Sequence, residues 1–83
     1  MRVLYFAWVK EKTGIAAEEI DPPAEVATIA ELIDWLKARG PEFENAFAPS
    51  EVIRAAIDQS HVRHDARIKG AREIAFFPPV TGG

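Results

Sequence analysis

The chain has 83 residues, 48% of them hydrophobic and 28% charged, with a formal net charge of −3 and no cysteine. That composition fits one globular domain near the lower size limit for folding without metals or disulfides, not a disordered segment. It excludes a disulfide framework, a thiolate metal site and a sulfur-carrying thiol, and the acidic balance argues against nucleic acid as a partner.

The chain opens on an apolar run, residues 3–9, which leads at once into Lys10-Glu11-Lys12 without a small-residue cleavage site. It therefore reads as a strand and not as a signal peptide. No stretch approaches the roughly 20 apolar residues of a membrane span, so the expectation is a cytoplasmic module with no membrane partner.

Residues 2–10 have strand composition, rich in β-branched and aromatic types. Alternation puts Val3, Tyr5, Ala7 and Val9 on one face and Leu4, Phe6 and Trp8 on the other. Thr13-Gly14 supplies a turn, and residues 15–20 read as a second strand that closes a hairpin. Asp21-Pro22-Pro23 then breaks the pattern. Thr28 and Glu31 form a capping-box signature. Ile29, Leu32, Ile33 and Leu36 follow at helical spacing, which predicts an amphipathic helix over 28–39 with Trp35 flanking its stripe. Gly40 stands where a left-handed cap would end that helix, and Pro41 forbids its continuation.

Phe43 and Phe47, four apart between Pro41 and Pro49, suit a short helical turn that closes the core. Residues 52–57 read as a third strand, 58–60 as a turn, 61–64 as a short edge strand, 65–70 as a loop and 72–77 as the last strand. The order is strand–strand–helix–strand–strand–strand. A long helical connection between the second and third strands implies a helix packed across one face of a mixed sheet. The expected class is α+β with the β-grasp architecture of ubiquitin, the last strand lying beside the first. A ferredoxin-like arrangement would need a second main helix.

Charge is uneven. Residues 18–51 are acidic apart from Lys37 and Arg39, while residues 54–72 are basic apart from Asp58 and Asp65. This is read first as solvated faces, Glu18 and Glu19 included, and second as a steered docking surface. His61 and His64 lie three apart, which on a strand points them to opposite faces and argues against a shared metal. They are read as ordinary surface histidines, and no metal site is expected.

The sequence closes on Phe76-Phe77-Pro78-Pro79-Val80-Thr81-Gly82-Gly83. Proline has no N–H, so Pro78-Pro79 must leave the sheet as a stiff spacer. Glycines without a Cβ can follow it into a narrow channel. Residues 78–83 reach roughly 20 Å at about 3.1–3.6 Å each, far enough to enter another protein's active site. The chain thus divides into a domain, 1–77, and an extended tail, 78–83. In the last strand Ile74 and Phe76 should point inward, leaving Ala75 and Phe77 outward beside the tail. Phe6, Trp8 and Phe77 are the expected docking patch, because one helix cannot cover both faces of so apolar a first strand.

The terminal octet, the opening Val-Leu-Tyr-Phe-Ala-Trp-Val-Lys-Glu and the intervening Ala-Ala-Ile-Asp-Gln and Gly-Ala-Arg-Glu-Ile-Ala-Phe-Phe resemble the small, sulfur-carrying subunit of molybdopterin synthase. The likeness spans nearly the whole chain. Two departures, Asp58 where the family commonly has Asn and Ala71 where it usually has an acid, fall in turns. The resemblance implies a carrier whose catalytic residues lie on its partner. It implies that an ATP-using activating enzyme of the ubiquitin-activating type adenylates Gly83, that sulfur transfer leaves a C-terminal thiocarboxylate, and that the tail enters the large synthase subunit. There the sulfur passes to a cyclic pyranopterin precursor. Gly82 and Gly83 would carry the chemistry; Pro78, Pro79, Val80 and Thr81 would line the channel, and Lys10 would match a basic interface position. No cofactor is expected to be bound. The alternatives are a ubiquitin-like modifier that forms isopeptide bonds through Gly83, a sulfur carrier for another pathway such as thiamine synthesis or tRNA thiolation, and a plain β-grasp interaction domain.

Overall fold

The computed structural model describes residues 1–79. Its elements are β1 (Arg2–Tyr5), α1 (Ala7–Thr13), β2 (Ala17–Glu19), α2 (Ile29–Lys37), α3 (Pro41–Phe47), a 3₁₀ turn (Ser50–Val52), β3 (Arg54–Ile57), β4 (Ser60–Val62) and β5 (Glu73–Phe77). The five strands form one mixed sheet in the order β2-β1-β5-β3-β4. β5 is central, parallel to β1 and antiparallel to β3. A helical layer covers one face. This is the β-grasp arrangement, and its parallel β1–β5 centre is what the sequence order implied.

Register sorts the two faces. Val3 pairs with Ile74 and Tyr5 with Phe76; all four are buried and meet Ile29, Leu32, Ile33 and Leu36 of α2 in a single core. Each of these large apolar side chains contributes about 1.5–3 kcal/mol by leaving water. Phe47 closes the core, its ring edge-on to Phe76 at 5.2 Å and to Tyr5 at 6.1 Å. The intervening row, Leu4, Ala75, Ala56 and His61, lies on the face away from the helices.

The capping box is present: Thr28 Oγ1 accepts from the Glu31 amide at 3.2 Å, and Glu31 Oε1 accepts from the Thr28 amide at 3.1 Å. Gly40 is not the left-handed cap of this helix. Ala38 ends it in a right-handed conformation, and Gly40, with extended backbone, leads into Pro41 at the start of α3. The later strands are shorter than the sequence suggested, because residues 50–52 form the 3₁₀ turn and β4 starts at Ser60.

The largest correction concerns residues 6–13. β1 stops at Tyr5; Phe6 remains extended, and Ala7 takes a left-handed φ of 53° to turn the chain into α1. Val9 and Thr13, four apart, then face the core. Gly14, at φ 83°, ends the helix with its N–H donated to the Lys10 carbonyl at 2.9 Å. The alternation continued through Ala7, Trp8 and Val9 is therefore helical spacing that happens to be apolar throughout.

Candidate docking surface and tail base

β5 ends at Phe77 in the middle of the sheet, directly before Pro78 and Pro79. The Phe6 amide donates to the Phe76 carbonyl at 3.1 Å. Pro78 has no N–H with which to continue a ladder. Phe6 is thus tied to the end of β5 that leads into Pro78 and Pro79. Its extended backbone keeps the alternation of β1, which sets it on the open face with Leu4, and it is 47% exposed.

Ile74 and Phe76 are buried, while Ala75 and Phe77 are half-buried on the open face, as the alternation predicts. Phe77 pairs with Arg54 of β3. Leu4, Phe6, Ala56, Ala75 and Phe77 thus make an apolar strip next to Pro78 and Pro79, with Arg2, Arg54 and His61 around it. Pro78 and Pro79 are partly buried at its end.

Of the other expected contact residues, Lys10 is exposed one helical turn from Phe6, whose carbonyl accepts its amide at 3.3 Å. Trp8 is not part of the strip. It packs against the core from α1, with Lys12 Nζ 5.8 Å from its ring, because the chain is helical there. Val80, Thr81, Gly82 and Gly83 lie outside the described residues.

Sequence reasoning missed two features. Glu18 is not a solvated-face residue. Its pairing with Val3 turns it toward the helices, where it accepts from Tyr5 Oη at 2.7 Å and from both Arg39 terminal nitrogens at 2.6 and 2.8 Å. Arg39 also lies over Phe43, 4.7 Å from its centroid. The Arg39 hydrogen bonds hold the Glu18 carboxyl below the usual carboxylate range. Burial, reinforced by the Glu18 carboxylate, drives the Tyr5 phenol far upward. A single ion pair thus ties β1, β2 and the end of α2 together.

The second is His61, whose ring centroid lies 5.2 Å from that of Phe77. A two-residue turn with Asp58 at φ 47° and Gln59 at φ 74° sets this register. Asp58 Oδ1 accepts from the Arg72 and Glu73 amides at 3.0 and 2.9 Å, pinning the turn to the start of β5. His64 goes elsewhere, its Nε2–H donated to the Ile53 carbonyl at 2.8 Å. Among the described residues no group of three or more His, Cys, Asp or Glu could hold a metal ion, and no helix is long and apolar enough to cross a membrane.

Residues 3–83 match the ThiS family. The molybdopterin synthase sulfur carrier subunit of Escherichia coli is 35% identical over the whole of this chain and 99% of its own length. That of Dictyostelium discoideum is 37% identical, covering 99% of this chain and 94% of its own. Among solved structures, SAMP1 from Haloferax volcanii superposes with a TM-score of 0.72 at 25% identity, covering 100% of this chain and 98% of that one. With its sheet order, its open apolar strip and a full-length match to these proteins, the chain belongs to the ThiS family, alongside the molybdopterin synthase sulfur carrier subunits.

Proposed function

We propose that the protein is the sulfur carrier subunit of a molybdopterin synthase. The observation that carries this reading is full-length similarity to proteins of that name at 35–37% identity, joined to the Phe-Phe-Pro-Pro-Val-Thr-Gly-Gly end. A carboxylate is a poor electrophile until one oxygen becomes part of a good leaving group. An activating enzyme of the ubiquitin-activating type would therefore join the Gly83 carboxylate to AMP from ATP, releasing pyrophosphate. A sulfur nucleophile would then displace AMP to leave a thiocarboxylate. The chain has no cysteine, so no side-chain thiol can hold the sulfur, and its terminus is where it would travel.

The apolar strip formed by Phe6 and Phe77 docks on the large synthase subunit, while the tail carries the thiocarboxylate to the pyranopterin precursor. The residues that catalyse the transfer belong to the large subunit, and the setting is the cytoplasm. Isopeptide conjugation through Gly83 is the second reading, favoured by the likeness to SAMP1, a small archaeal modifier protein. Mass spectrometry of the protein isolated from its own cells tests both. Exchange of one terminal oxygen for sulfur supports the carrier, lysine-linked conjugates support the modifier, and a chain in neither form contradicts both.

A further inference from the structure

Among the described residues the open face carries an imidazole, that of His61 on β4. His61 pairs with Ala56, which pairs with Ala75, and Phe77 lies two residues beyond on the same face. The exposed imidazole leans on Phe77 at 5.2 Å with its plane tilted by 51°. Phe77 runs directly into Pro78-Pro79 and the tail, so a partner that takes the tail also covers Phe77 and the imidazole beside it. The occupant is therefore the large synthase subunit, and the inference rests on the docking reading given above.

The charged groups around His61 give the imidazolium no counter-ion. Arg54 of β3 shares the face, and Arg63 follows at the end of β4; both are cationic. Asp58, on the turn that joins β3 to β4, has its carboxylate committed to the amides of Arg72 and Glu73. Glu73 stands opposite Arg2 in the register of β5 and β1, at the end of β5 away from Phe77. Covering a protonated His61 would bury a charge that this chain leaves unpaired among the described residues, and burying an unpaired charge is costly. We propose that His61 makes docking pH-sensitive: the neutral imidazole is accepted against the partner and the imidazolium is rejected.

The test is a titration of the full chain against the large synthase subunit from pH 8 to pH 5.5, for the native protein, His61→Leu and His64→Gln. The native affinity should fall on acidification, by up to about tenfold for each pH unit below the imidazole midpoint. His64→Gln should keep that profile and His61→Leu should flatten it. In NMR of the native protein the His61 ring should titrate at lower pH in the complex than in the free chain, a readout that needs no variant. A His61→Leu profile identical to the native one overturns the inference, as does tightening at low pH, which would mean the partner supplies an acid. Absence of binding at every pH overturns the docking reading itself, and this inference with it.

Discussion

Replacing Glu18 with Gln removes a charge while keeping nearly the same shape, and its cost follows from three contacts. The carboxylate accepts from Tyr5 at 2.7 Å and from Arg39 at 2.6 and 2.8 Å. An amide can still accept from one side, but its NH₂ must then face a second donor. Hydrogen bonds to a charged group contribute about 1.5–3 kcal/mol. The Arg39 side chain is 33% exposed and Glu18 only 16%, so water screens part of the loss, and about 2 kcal/mol is expected. For a domain of this size that lowers the melting temperature by roughly 8–16 °C.

The pH dependence has a definite sign. The Glu18 carboxyl is held below its ordinary range, so the unfolded chain binds the extra proton. The stabilisation is complete above about pH 4.3, the ordinary value for Glu, and is lost as pH falls through the native midpoint. Melts followed by circular dichroism from pH 7 down to pH 2.5 should show a wide gap between native protein and Glu18→Gln that narrows on acidification. A gap below about 2 °C at pH 7, or one that stays constant to the lowest pH, would mean that the Glu18 charge does not hold this network together.

Ala7→Gly should raise the melting temperature by a few degrees, since a left-handed φ costs an alanine about 1 kcal/mol that glycine avoids; an unchanged or lower value would contradict this. Phe6→Asp should leave the melt nearly native, because the side chain is half exposed, yet weaken docking on the large subunit. Loss of a buried aromatic contact is worth about 1.5–3 kcal/mol, one to two decades in dissociation constant; a binding isotherm beside the melt decides the matter. Deleting Gly82-Gly83 should abolish adenylation without altering the melt, and normal activation of the truncated chain would reject the carrier mechanism.

The α2 stripe and its capping box were legible because local periodicity and tertiary burial agree there. The inward turn of Ile74 and Phe76 was legible for the same reason, with period 2 in place of 3.6. Residues 6–13 were misread because every residue from Val3 to Val9 is apolar, and an unbroken run does not distinguish strand from helix. The discriminating signals were Gly14 as a left-handed cap and the Val9–Thr13 spacing. Glu18 was hidden differently: its partners Tyr5 and Arg39 are 13 and 21 residues away, and no local pattern reports a contact made by the fold. His61 needed the register of β4, which rests on the positive φ of Asp58 and Gln59, residues without the Asn-Gly signature of such turns.

The carrier reading requires that sulfur leave from Gly83. The direct measurement is to load the chain with labelled sulfur as its terminal thiocarboxylate, then add the large subunit and the cyclic pyranopterin precursor. Label should move into the dithiolene of molybdopterin while the chain returns as an ordinary carboxylate. Label that remains on Gly83, or Gly83 that becomes joined to lysines of other proteins with no labelled dithiolene formed, would contradict the carrier reading.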